Sequence, residues 1–319
     1  MSTAPMTRKD TPVSGSPSAA TSMVDREDMS LKPSRTWMHV ARSLYRSKLA
    51  FFSLIVIGIL ALIAILGAAI APYPPSQQNL LHTYLPPAWV EGGRLEFLLG
   101  TDNVGRDILS RMIPGARISL LVGVAAVVVG GFIGTVLGLI AGYFGGWVEA
   151  LIMRLVDLQI AFPAMFIGLI AMALLGTGIV ELIFVIALVQ WAYYARVARA
   201  ETIKIKRMEY FHAARALGVR TVPLIARHVL PNAIGPLLVV ASFSLSTAIF
   251  YEAAMSFFGL GVPPNIPTWG NMLAESRNTL LLNMWAPVFP GLAITITVLA
   301  FNLLGDWMRD YFDVTQQNN

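Results

Sequence analysis

The chain has 319 residues, 56% of them hydrophobic and 13% charged, with a formal net charge of +5 and a mean hydropathy of +0.65. That balance lies far from the half-apolar, quarter-charged average of soluble domains and marks an integral membrane protein. The chain has no cysteine, so disulfide frameworks, thiolate metal sites and cysteine nucleophiles are excluded.

Residues 1–36 are rich in Ser, Thr, Pro and charge without an apolar run, and read as a disordered tail. Residues 37–48 form a short pre-span segment, and residues 49–319 a transmembrane domain. The first apolar run begins only near Leu49, so an uncleaved first span is expected rather than a signal peptide. Six stretches are long and apolar enough to cross a hydrocarbon core as helices: Leu49–Ala71, Ile118–Ala141, Leu155–Leu175, Ile179–Ala198, Ile234–Met255 and Trp285–Leu304. Lysines and arginines concentrate before the first span and between the fourth and fifth. The positive-inside rule therefore puts both termini, and the loop 199–233, in the cytoplasm.

Between the first two spans, "GTDNVGRD" brings together Asp102, Arg106 and Asp107, either as a salt-bridged turn that orders the loop or as a charged cluster facing a partner. Along the second span Gly130, Gly134, Gly138 and Gly142 recur every fourth residue, a stripe that lets another helix backbone approach closely. That neighbour is a helix of this chain or one of a second subunit. In the fifth and sixth spans Ser242, Ser246 and Thr295 are either bonded to their own backbone or form one wall of a hydrated pathway.

Asp157, Glu181, Glu252 and Asp306 all fall toward span ends. A proton-coupled secondary transporter, the main rival class, would want a carboxylate near the midplane. A membrane scaffold or receptor would want larger soluble extensions. The four histidines, His39, His82, His212 and His228, show no zinc spacing, and there is no G-x-S-x-G elbow and no phosphate loop. The chain is therefore not expected to be an enzyme or to hold a cofactor or metal of its own. If ATP drives it, another chain binds the nucleotide.

The loop itself carries the pattern that remains, in "EYFHAARALGVRTVPLIARHVLPN" from Glu209 to Asn232. Glu209 to Leu217 favours helix, with Tyr210, Ala213, Ala214 and Leu217 on one face. Gly218 suits the left-handed position that ends a helix. Thr221 is expected to cap a second short helix that stops by Pro231. Arg215, Arg220 and Arg227 supply charge for lipid headgroups or an acidic rim.

This segment resembles the "EAA" loop of importer-type ABC transporter permeases. Ala213, Ala214, Gly218, Leu230 and Pro231 fall at the matching positions; His212 stands where that family usually has Glu, with Glu209 three residues earlier. "LGTDNVGRDILSRMIPGARISLLVG" (99–123), "MRLVDLQIAFP" (153–163), "EAAMSFFGLGVPPNIPTWGNML" (252–273) and "NLLGDWMRDYFD" (302–313) are similar to the peptide/nickel branch, in particular its C-type subunit.

The resemblance implies the type I importer permease fold: an all-α membrane protein of six spans with a cytoplasmic coupling helix, in a bacterial or archaeal inner membrane. It further implies a second homologous permease, two ATPase subunits that bind ATP and Mg, and an extracytoplasmic binding protein, for which Asp102, Arg106 and Asp107 are the candidate contact. Alternating access would carry di- or oligopeptides, with nickel, glutathione and other small solutes as alternative cargo of similar permeases. Glu209, Tyr210, His212, Ala213, Ala214, Arg215, Leu217 and Gly218, with Leu230 and Pro231, are the residues the resemblance assigns to coupling.

Overall fold

A computed structural model of the chain describes residues 42–317. The tail expected at 1–36 and residues 37–41 of the pre-span segment lie outside the described residues. Those beyond Arg42 pack as one compact unit, whose regular structure is helical, with an isolated bridge between Thr101 and Asp107.

Helix α1 spans Lys48–Ile70 and is capped by Ser47, whose hydroxyl accepts from the Ala50 amide. A long loop follows, and α2 spans Ile108–Phe144. It starts ten residues before the predicted span because Asp107 caps it, its Oδ2 accepting from the Ser110 amide at 2.8 Å. Helices α3 (Gly146–Ala161) and α4 (Ala164–Leu175) replace the predicted third span, and α5 spans Ile179–Lys206. The loop pair comprises α6 (Glu209–Ala216) and α7 (Thr221–Leu224). Helix α8 spans Leu230–Phe257, α9 Trp269–Ser276 and α10 Trp285–Gln317.

Two expectations are corrected by proline. The stretch Leu155–Leu175 is not one straight span: α3 and α4 meet at a bend of 92°. Pro163 has no amide hydrogen to give and forces Phe162 into the extended region, so the helix breaks there. Among the described residues, five helices, or six with the bent pair taken as one span, are thus long and apolar enough to cross a membrane. Pro231, conversely, stops nothing. Residues Ile225–Val229 widen into a π turn, and the helix runs through to Phe257. The wider turn makes room for the proline ring, and the Asn232 side chain donates to the His228 carbonyl at 2.6 Å.

The glycine stripe has its neighbour inside this chain. A Cβ on Gly130 would lie 2.9 Å from the Ala187 carbonyl oxygen, and one on Gly142 2.6 Å from Thr202 Cβ; Gly134 and Gly138 face the carbonyl oxygens of Trp191 and Ala195 more closely still. Helices α2 and α5 therefore touch backbone to backbone, which small residues alone allow. Around that seam Val122, Ala126, Met172, Leu182, Val185, Ile186, Ala248 and Met255 form a core joining α2, α4, α5 and α8. Phe132, Ile170, Phe184 and Leu299 point outward, as lipid-facing side chains do.

Candidate functional site

Helix α6 begins after extended Met208, with Glu209 in its first turn and Arg215 in its last, each on the end where the helix dipole favours its charge. It ends in a Schellman motif. The Gly218 amide donates to the Arg215 carbonyl at 3.0 Å and the Val219 amide to the Ala214 carbonyl at 3.3 Å, with Gly218 at φ +80°. The cap fixes where the chain leaves α6, whereas Met208 at its start offers no side-chain cap.

Phe211 anchors it. This side chain, 1% exposed, enters a cluster of Leu139, Tyr194, Ala198, Ile205, Leu224, Val229, Ala233 and Leu237, with Ala214 and Leu230 packed against it. The expected face of α6 therefore divides: Ala214 turns inward with Phe211, while Tyr210, Ala213 and Leu217 stay exposed, Leu217 at 85%. Tyr210 lies 6.5 Å from the His228 ring, linking the two arms of the loop, and His212 meets Phe211 edge-on at 6.2 Å. Pro231 is exposed at the start of α8.

Polar contacts tie the same region to the bundle. Lys206 Nζ donates to the carbonyls of Gly142 (3.1 Å) and Tyr143 (2.7 Å), filling acceptors at the end of α2. Tyr143 Oη donates to Thr221 Oγ1 at 3.1 Å. Thr221 is the first residue of α7 rather than its expected cap; Arg220 holds the cap position. Arg199 Nε donates to Glu149 at 2.6 Å and joins α5 to α3. Arg207, Arg215, Arg220 and Arg227 are exposed, and among the described residues none has an acidic partner. The loop thus presents a small apolar ridge flanked by free guanidinium groups.

The remaining candidates fall elsewhere. Asp102, Arg106 and Asp107 do not form an exposed contact cluster. Arg111, absent from the sequence-level candidates, is buried and donates to Asp102 at 2.8 Å and to Glu275 at 2.6 Å; Arg106 donates to Asp102 and Glu275, both at 2.6 Å. The network fastens the loop after α1 to α9. Asp102 is buried in it; Asp107 is buried beside it, accepting from the Ser110 amide and hydroxyl. Burial pushes the Asp107 carboxyl above its ordinary range, against the lowering pull of the Ser110 hydroxyl and the Ser110 and Leu109 amides.

Ser242 and Ser246 do not line a pathway within this chain. They are buried where α8 meets α10, and donate to the Phe301 carbonyl at 2.7 Å and the Val298 carbonyl at 3.2 Å. Thr295 is exposed but donates to Gly291, one turn back on its own helix. Glu252 is fully buried and accepts from Ser119 at 2.8 Å and Ser256 at 3.0 Å, joining α8 to α2. Among the described residues no group of three His, Asp or Glu is arranged to hold a metal.

Residues 134–314 match the family described as "Binding-protein-dependent transport system inner membrane component". Residues 36–87 match the "N-terminal TM domain of oligopeptide transport permease C". The chain is 41% identical over 277 residues to a "Di/tripeptide transport system permease protein DppC" of Pseudomonas aeruginosa, covering 87% of this chain and 91% of the relative. It is 36% identical over 295 residues to the "Oligopeptide transport system permease protein OppC" of Bacillus subtilis, covering 92% and 95%. A "Glutathione transport system permease protein GsiD" of Pectobacterium atrosepticum is 40% identical over 223 residues, covering 70% and 74%.

Proposed function

The chain belongs to the binding-protein-dependent transport system inner membrane components, and on that premise we propose that it is the C-type permease of an ATP-driven importer of di- or oligopeptides. Its partners in this reading are a second homologous permease, two ATP-hydrolysing subunits and an extracytoplasmic binding protein. Both termini and α6 face the cytoplasm, where the positive-inside rule places the basic loop. The names of the relatives support peptide cargo, because permeases similar over nearly their whole length carry di-, tri- and oligopeptides.

The observation that carries the reading is α6: a capped helix, fixed by Phe211 to the ends of α2, α5 and α8, with Tyr210, Ala213 and Leu217 exposed beside unpaired arginines. An apolar ridge bounded by cations suits a groove with an acidic rim in an ATPase subunit. Closure of the two ATPases moves α6, and Phe211 passes the movement to α5 and α8, which open the pathway alternately to either side. Coupling of this kind requires two discrete arrangements of a packed unit rather than a flexible tether.

The test is to purify the tagged chain from its native host in mild detergent, identify what accompanies it by mass spectrometry, and assay ATP hydrolysis. A second permease of similar span number together with ATP-binding chains is the expected result. A chain that purifies alone and moves peptide into proteoliposomes without ATP would overturn the reading and favour the proton-coupled class.

A further inference from the structure

With Ser242 and Ser246 turned onto α10, the wall of the pathway has to lie elsewhere, and α5 and α8 enclose a hollow of about 360 Å³. Its polar lining is Gln190, Tyr193 and Arg196 from α5 and Ser244, Thr247 and Tyr251 from α8. Gln190 and Ser244 stand near the middle of their helices, where a polar group facing lipid is costly and an unpaired buried one costlier still. Gln190 is only 2% exposed. Its Nε2 donates to the Ser244 carbonyl at 2.8 Å, yet its Oε1 has no partner among the described residues.

Tyr193 and Thr247 are exposed on the open side of the hollow, so hydroxyls face the same space from both helices, while the Gln190 Oε1 lies buried behind them. At one end Arg196 is held by Asp157 at 2.8 Å, an exposed pair of the kind that contributes little and exchanges readily. The same two helices flank α6 in sequence and share its Phe211 cluster, so movement of the loop reaches this hollow directly.

We propose that the hollow between α5 and α8 is the peptide-contacting part of this chain's translocation pathway. When α5 and α8 part, the Gln190 carbonyl is uncovered to accept a peptide N–H at mid-span, and Arg196 receives a carboxylate at one end in exchange for Asp157. An extended peptide presents both groups; Tyr193 and Tyr251 give it sequence-independent hydrogen bonds, and Thr247, whose hydroxyl donates to the Phe243 carbonyl at 2.7 Å, adds an acceptor. This rests on the importer reading, and uptake by the wild-type complex tests that reading separately.

The absence of cysteine makes the hollow directly addressable. Thr247→Cys and Tyr193→Cys, on different helices, are each placed in the complete transporter, with Ser246→Cys as the control that faces α10. A charged, water-soluble thiol reagent is applied during ATP turnover, with and without saturating trialanine and the binding protein. Reaction at 247 and 193 is expected, slowed about tenfold by trialanine if the hollow is occupied about nine-tenths of the time, with no reaction at 246.

No reaction at 247 and 193 in a complex whose wild type imports trialanine would mean that a partner helix fills the hollow, and would overturn the proposal. Reaction indifferent to trialanine would do the same. Wild-type complex that fails to import trialanine with ATP contradicts the importer reading itself. A variant that does not assemble at one position leaves the other, on the second helix, to decide.

Discussion

Gly218 at φ +80° holds a backbone conformation that a β-branched side chain resists, although a Cβ there would meet open space. Gly218→Val is therefore expected to cost about 1–2 kcal/mol locally and to loosen the exit of α6, leaving the bundle intact. Phe211 works through packing. Truncation to Ala removes a fully buried ring and is expected to cost about 3 kcal/mol, and limited proteolysis of the purified complex should then cut between residues 207 and 220. Unchanged protease resistance would show that the ring does not anchor the loop. Arg111 differs again: it satisfies two carboxylates, so Arg111→Met leaves Asp102 and Glu275 close together with one cation fewer. A loss of about 3 kcal/mol, read as a lower thermal midpoint of the complex, is expected. Gly218 is legible as a helix end, whereas neither Phe211 nor Arg111 is visible by spacing alone. Phe211 lies one residue off the face chosen from Tyr210, Ala213, Ala214 and Leu217, and Arg111 sits in "DILSR" with no sign that Glu275 folds back onto it.

At the scale of elements, the closeness of α2 and α5 depends on four glycines spaced one turn apart. Gly138→Leu drives a side chain into Ala195 and Ala198 and is expected to prevent a stable α2–α5 seam, seen as loss of the chain from the membrane fraction. A Gly138→Leu variant that accumulates and assembles normally would mean that the seam tolerates separation. Periodicity and length expose most spans, because twenty apolar residues have few other uses. They do not say which neighbour a helix meets. That is why the stripe left two partners open, and why Ser242 and Ser246, correctly seen as one face, prove to donate to α10 carbonyls. Prolines have opposite effects for a related reason: Pro163 breaks its helix and bends it by 92°, whereas Pro231 is absorbed by the preceding π turn. Sequence shows the missing donor in both cases and leaves the local repair to the tertiary surroundings.

For the whole molecule, the proposed arrangement is one in which a rigid loop joins external ATPases to the helices on either side of it. Lys206, Tyr143 and Thr221 stiffen that joint, so the loop and the ends of α2, α5 and α7 move together. The most direct measurement is the number of peptides imported per ATP hydrolysed by the reconstituted transporter, compared between wild type and Gly218→Val. Loosening the exit of α6 by more than about 1.4 kcal/mol should lower that ratio roughly tenfold while ATP hydrolysis continues. An unchanged ratio in a correctly assembled Gly218→Val complex would contradict a rigid coupling helix.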